Sequence, residues 1–169
     1  KANGIQKTIQ KVRGVIDVGK QTGYSVAGEV IAVGEGVINF QIGDKVAAAG
    51  AGIANHAEYV DVPLNLVMKM PTELDYKFAS IVTMGGIAMQ GVRRADLRFG
   101  ENCVVVGAGI LGLLALQMLK LSGVRVIVTD LDEHRLILAK ELGADLCINP
   151  TKEDAVKISN SFSGGHGVD

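Results

Sequence analysis

Cys103-Val104-Val105-Val106-Gly107-Ala108-Gly109-Ile110-Leu111-Gly112 is the stretch that decides the fold. A β-branched apolar run turns on Gly107-x-Gly109-x-x-Gly112 and passes into the apolar segment Leu113 to Leu121. A second run, Val124-Arg125-Val126-Ile127-Val128-Thr129, ends on Asp130. A glycine triplet alone says little. Between a strand and a helix, with an acid about 20 residues on, it predicts a turn that binds a dinucleotide pyrophosphate. Gly107 permits the tight turn, Gly109 admits a phosphate close to the backbone, and Gly112 lets helix and strand touch. Free N–H groups and the positive dipole end of the helix face the phosphates.

Two other readings compete with this one. Cys103 to Leu119 carries no charge, and by length it approaches a membrane span. Three glycines in six residues and a β-branched front half suit a strand and turn better. A second apolar strand after a short connection fits a buried parallel sheet. The other competitor is a glycine-rich turn in a different α/β domain, which would leave the position of Asp130 unexplained.

Working outward, residues 132–142 predict a second helix, with Leu136, Ala139 and Leu142 on one face and Gly143 as its stop. Residues 144–149 predict a third strand and 152–160 a third helix. Upstream the texture is β. Val30 to Val33, Gly43 to Ala47 and Glu58 to Val62 predict short strands separated by glycine turns, as in a small barrel or its remnant. Pro71 and Thr72 announce a helix over residues 75–94, with a break at Gly85-Gly86. Residues 1–20 place Ile5, Ile9, Val12 and Ile16 at helical spacing, and a solvated arm fits them equally.

The hydrophobic fraction of 48% supports a core. A net charge of −1, with no Trp and 4% aromatic residues, argues against nucleic acid or an anionic membrane as partner. Cys103 and Cys147 fall in separate strands and read as core residues, not a disulfide or a metal pair. No targeting segment is evident, so a cytoplasmic protein is expected by default. The strands after Gly107 number about three where a doubly wound fold needs about six, so the chain reads as a fragment of a longer enzyme.

Six ordered motifs resemble the medium-chain dehydrogenase/reductase superfamily, the alcohol-dehydrogenase-like enzymes. They are residues 23–30 (Gly-Tyr-Ser-Val-Ala-Gly-Glu-Val), Val33 to Val37, Gly43 to Val46, Ala57 to Val60, the glycine triplet, and Leu142-Gly143-Ala144-Asp145. The resemblance implies an α/β fold: a partial Rossmann domain, a doubly wound parallel sheet, preceded by a remnant of a GroES-like β-barrel. The implied boundaries are 1–72 for the barrel part and 73–169 for the connecting helix and the first half of the Rossmann domain. It also implies that Gly107, Ala108, Gly109, Ile110, Leu111 and Gly112 hold the cofactor, with Asp130 and Leu131 at the adenosine ribose. Arg135, five residues after Asp130, stands where family members often place a basic residue. A solvated helix arginine is the alternative.

The departures from the family pattern are informative. Zinc-dependent members carry a His where this chain has Tyr24 and a Cys where, by register, it has Thr83. The segment Val46 to Ala57 is too short for the four-cysteine lobe and has no Cys. Zinc needs N or S ligands, three of them from protein at a catalytic site. No metal is therefore expected, although a third ligand would lie upstream of Lys1 and His56 could in principle contribute. Gly23-Tyr24-Ser25, Asn55 to Tyr59 and Gln90 to Arg94 resemble a narrower branch, the threonine-dehydrogenase-like front half of bacterial bi-domain oxidoreductases. That branch implies a sugar-derived substrate and a second oxidoreductase domain in the full-length chain.

The resemblance places Tyr24, Ser25, His56 and Thr83 around the catalytic cleft. A hydroxyl can donate to a developing alkoxide and an imidazole can relay a proton. The alternative is that Tyr24 and Thr83 only fill the space of a lost metal. The resulting expectation is a zinc-independent oxidoreductase that moves hydride between NAD and a carbonyl or alcohol. NAD is expected over NADP because Asp130 can bond both ribose hydroxyls and repels a 2′-phosphate. A non-catalytic NAD-binding or scaffold module is the alternative, and an enzyme of another adenosine cofactor, such as a methyltransferase, is a third reading. The expected partners are a small-molecule substrate and a second copy of the chain, with neither nucleic acid nor membrane.

Overall fold

The computed structural model describes residues 21–169. The helix or arm read in residues 1–20 lies outside them. The chain forms two compact units, divided between Thr83 and Met84.

The first unit holds a three-stranded antiparallel sheet of β1 (Ser25–Glu29), β2 (Lys45–Ala49) and β3 (Val67–Lys69), in that order. Ser25 faces Ala49 and Glu29 faces Lys45 across the first pair, and Val46 faces Lys69 across the second. The run Val30 to Val33 extends this pairing by one residue only: Val30 N donates to Asp44 O (3.0 Å) and Gly43 N to Val30 O (2.8 Å). Glu58 to Val62 forms no strand, and Tyr59 is 73% exposed. Its alternation of polar and apolar residues resembles a half-buried strand, but among the described residues no neighbouring strand supplies the ladder that would make it one. β3 carries too few residues to show a period, and the sequence does not announce it.

The helix expected over residues 75–94 is two helices, α1 (Tyr76–Ala79) and α2 (Val82–Ala95). The break falls at Ser80-Ile81, not at Gly85-Gly86, and the cause is a buried hydroxyl. Ser25 Oγ donates to Ser80 O (2.6 Å) and accepts from Thr83 N (3.3 Å). It stands between a carbonyl and an amide that would otherwise serve the helical ladder. The two glycines remain inside α2, where each costs about 1 kcal/mol relative to Ala without ending the helix.

The second unit is α/β. Strands β4 (Asn102–Val106), β5 (Arg125–Thr129) and β6 (Leu146–Ile148) run parallel in the order β4-β5-β6. Helices α3 (Ile110–Leu121) and α4 (Glu133–Glu141) make the two crossovers, and α5 (Ala155–Phe162) follows β6. One face of β5 presents Val126 and Val128 to Leu116 and Leu119 of α3 and Leu136 and Ala139 of α4. By the two-residue period of a strand, Ile127 faces the other way, and it too is fully buried. Arg125 shares that second face and stacks on Phe162 of α5, 4.2 Å from the ring centroid. Burial on both faces explains why β5 reads as an unbroken apolar run after Arg125. Cys103 and Cys147 are free, half-buried members of this packing, and burial pushes both thiols up. Among the described residues no helix is long and apolar enough to cross a membrane.

Candidate functional site

Two groups of residues carry the predicted site, one in each unit. In the second unit, Gly107 adopts φ +93, a conformation strained for residues with a Cβ, and its N–H donates to Thr129 O (2.7 Å). A Cβ on Gly112 would overlap Gly107 O and stand 3.3 Å from Val105 Cγ1. Gly112 is therefore the point at which α3 touches β4. A Cβ on Gly109 would meet nothing within 4 Å. Its lack of a side chain answers no internal contact and leaves open the approach to the helix end.

The start of α3 differs from those of α1, α4 and α5. Asp75, Asp132 and Asp154 cap those three helices with a side-chain oxygen. α3 begins on Gly109 with no side-chain cap. The first N–H groups of a helix have no partner within it, so here they remain available to an anion. Ile110 and Leu111, in that first turn, are exposed.

Asp130 joins the end of β5 to this turn. One carboxylate oxygen accepts from Ala108 N (2.6 Å) and the other from Asp132 N (2.9 Å). These two amides, Asp132 first, hold the carboxyl below the usual carboxylate range, and Arg135 adds to them against the opposing effect of burial. A carboxylate offers about four acceptor positions, so two remain for a ligand. Arg135 stands 4.0 Å from Asp130 and 3.7 Å from Asp132, while Leu131 is 69% exposed. The residues read as cofactor-binding are thus brought together around one turn.

In the first unit, Tyr24, Ser25, His56 and Thr83 converge through backbone links. His56 N donates to Thr22 O (2.8 Å), and the imidazole lies directly over Gly23, so any side chain at Gly23 would overlap it. Thr83 Oγ1 reaches Tyr24 O at 3.5 Å, the outer limit of a hydrogen bond. Tyr24 and His56 are exposed; Ser25 is buried, with its proton committed to Ser80 O. Beside them Asn55, 8% exposed, donates to Gln21 Oε1 (2.7 Å), and its Oδ1 has no partner among the described residues. Sequence reasoning passed over Asn149, a buried amide beside Leu131 whose bonds span 16 to 18 residues. Burial of an amide after an apolar strand is the one signal that could have flagged it.

Residues 111–169 match the family model described as zinc-binding dehydrogenase. (R,R)-butanediol dehydrogenase of Bacillus subtilis is 33% identical, over 87% of this chain and 49% of its own length. D-guloside 3-dehydrogenase of Escherichia coli is 35% identical, over 91% of this chain and 44% of its own. The crystal structure of Escherichia coli quinone oxidoreductase complexed with NADPH superposes with a TM-score of 0.79 at 26% identity, covering 87% of this chain and 46% of that one. The chain belongs to the medium-chain dehydrogenase/reductase superfamily. It spans about half the length of the curated relatives it matches.

The zinc in the family's description does not fit the donors present. Among the described residues no three His, Cys, Asp or Glu side chains stand close enough to share an ion. Tyr24 and Thr83 offer a phenol and an alcohol, poor zinc ligands at neutral pH. A nicotinamide dinucleotide does fit, given the bare helix end, the open space at Gly109 and the carboxylate beside it.

Proposed function

We propose that the chain is the cofactor-binding part, with a portion of the substrate-binding part, of a zinc-independent oxidoreductase that uses NAD. The observation that carries this reading is the bond from Ala108 N to Asp130, which joins the glycine turn to the acid. When bound, the nicotinamide ring accepts or donates the hydride. The protein binds and orients: the turn from Gly107 to Gly112 takes the pyrophosphate, and Asp130 takes the ribose hydroxyls of adenosine. A 2′-phosphate there would face Asp130 and Asp132, with Arg135 between them as a single offsetting charge among the ion pairs described. NAD is therefore preferred, although two structural relatives were solved with NADPH.

With no metal ligand set among the described residues, the proposed mechanism gives the substrate oxygen a hydrogen-bond donor instead. Tyr24 and His56, both exposed, are the proposed donors; Ser25 and Thr83 fix their strand and helix in place. A sugar-derived alcohol or ketone is the proposed substrate, supported by the guloside dehydrogenases among the relatives. We place the enzyme in the cytoplasm, where Cys103 and Cys147 would stay reduced, and as a homo-oligomer.

Titration of the full-length protein with NAD and NADP is the test. Tighter NADP binding would refute the preference, and activity lost on chelation together with stoichiometric zinc would refute the mechanism. The competing reading, a binding module, is favoured by the commitment of the Ser25 hydroxyl to structure. It predicts NAD binding without turnover. The enzyme reading predicts that Tyr24→Phe or His56→Ala lowers kcat by about 10²–10³ if the residue is a true oxyanion donor.

A further inference from the structure

Asn149 follows β6 and is 5% exposed. Its amide uses every hydrogen-bonding position it has. Nδ2 donates to Leu131 O (3.1 Å) and to Glu133 Oε1 (2.5 Å). Oδ1 accepts from Thr151 N (3.0 Å) and Thr151 Oγ1 (2.7 Å). Its orientation is therefore set on both sides.

The bond to Leu131 O matters because of what lies across the same peptide. The carbonyl of Leu131 and the N–H of Asp132 belong to one planar group and point in opposite directions. The N–H end donates to Asp130 Oδ1 at 2.9 Å and the C=O end accepts from Asn149 at 3.1 Å. The peptide is pinned at both ends. Were it to rotate, Asp130 would lose the amide that fixes one of its oxygens. Oδ1 would then be released, and the carboxylate would be held through Oδ2 by Ala108 N, with Arg135 at the limit of an ion pair.

We propose that Asn149 is a positioning residue for cofactor selection, holding the Leu131–Asp132 peptide so that Asp130 presents a fixed carboxylate to the ribose. The proposal rests on the reading of Asp130 as the ribose acid. It assigns the discrimination between a 2′-hydroxyl and a 2′-phosphate to a pair of residues, one in contact with the ribose and one behind it. Asn149 itself touches no cofactor; it acts through a backbone group.

The experiment uses the full-length protein and NAD and NADP as probes. Asn149→Ala should lower the ratio of NAD to NADP affinity about tenfold, the effect of one neutral hydrogen bond. The kcat at saturating NAD should stay unchanged. In an Asp130→Ala background the same substitution should leave the ratio where it is, since nothing remains to position. Thr151→Val frees the amide without removing it and should give about a threefold change, a milder variant if Asn149→Ala does not fold. A carboxyl-resolved NMR titration adds a readout without cofactor: in Asn149→Ala the Asp130 carboxyl should titrate at higher pH. An unchanged ratio in a folded Asn149→Ala protein, or a change that persists without Asp130, would overturn the proposal while leaving the function standing. Failure of the unaltered protein to bind either dinucleotide would overturn both, and is read before any variant is made.

Discussion

The two units bury different things. In the second, the largest fully buried side chains are Leu116, Val124, Val126, Ile127, Val128 and Ile148. In the first, the buried apolar residues among those described are Ala47, Ala48, Ala54 and Ala79, while Ile38, Ile42, Met68 and Phe78 are more than half exposed. Hydrophobic stabilisation scales with apolar area removed from water. Among its described residues the first unit is therefore tied by hydrogen bonds at chosen points, such as Ser25 to Ser80 and Val30 to Asp44, more than by buried apolar packing. A site built on such a framework tolerates surface change and is sensitive to loss of a single buried hydroxyl. The glycine turn, by contrast, is set in a packed sheet.

The largest effect expected from this contrast is at Gly112. Its α-carbon lies where helix and strand meet, and a side chain there overlaps backbone, which cannot move aside as a flexible side chain would. Gly112→Val should destabilise by roughly 3 kcal/mol or more, the upper range for overpacking. Chemical denaturation measures it, and a stable folded variant would show that α3 is not seated on β4 as described.

Truncation in the two cores comes next. Ile127→Ala removes a fully buried side chain and should cost about 3 kcal/mol. Met68→Ala, at a residue 56% exposed, should fall within about 0.5 kcal/mol. Comparable losses at both sites would break the comparison, for then the first unit would depend on packing as much as the second.

The same contrast governs what the sequence discloses. β4, β5 and β6 lie near their expected places because each is a short apolar run, unbroken in β5 where both faces are buried, and Gly107 and Gly112 are demanded by backbone geometry alone. α4, expected over residues 132–142, spans Glu133–Glu141, with Asp132 as its cap. In the first unit the strand read over Gly43 to Ala47 is β2, Lys45–Ala49, but the rest carries no such signal. Whether Glu58 to Val62 pairs depends on a neighbour that local pattern does not encode, and the helix break at Ser80 depends on a hydroxyl 55 residues away. The glycine turn and Asp130 were legible because their spacing is local to one strand–helix–strand unit. Asn149 was not, since its bonds to Leu131 and Glu133 exist only once β6 lies beside β5. The candidate substrate residues were reached through the family resemblance, and the commitment of Ser25 to a backbone carbonyl is visible only in three dimensions.

A smaller effect, and one that depends on pH, is expected at Asp145. Burial pushes its carboxyl up, but Lys120 at 2.6 Å and the Val126 N–H at 2.6 Å outweigh it, and the group sits below its ordinary range. A lowered folded value means the stabilisation is complete above the unfolded carboxylate range and fades as pH falls through the folded value. Asp145→Asn should cost about 1 kcal/mol at neutral pH. The gap between variant and parent should stay constant from pH 7 to about pH 5 and close below about pH 4. A gap that widened in acid would reverse the sign of the argument.

The smallest change in stability is expected at Gly109, and it separates folding from binding most cleanly. Gly109 adopts φ −76 and ψ −176, a conformation open to any residue, and a Cβ there meets nothing within 4 Å. Alanine is a poorer N-cap than glycine, but it also restricts the unfolded chain, and the two effects oppose each other. Gly109→Ala should therefore shift stability by no more than about 0.5 kcal/mol. If a pyrophosphate approaches this backbone, the added methyl occupies its path, and dinucleotide affinity should fall at least about tenfold, the effect of 1.4 kcal/mol. Calorimetric titration of a variant shown to melt with the parent checks both halves. Unchanged affinity would mean that the third glycine of the turn serves packing while the second serves nothing, and the phosphate would have to bind elsewhere.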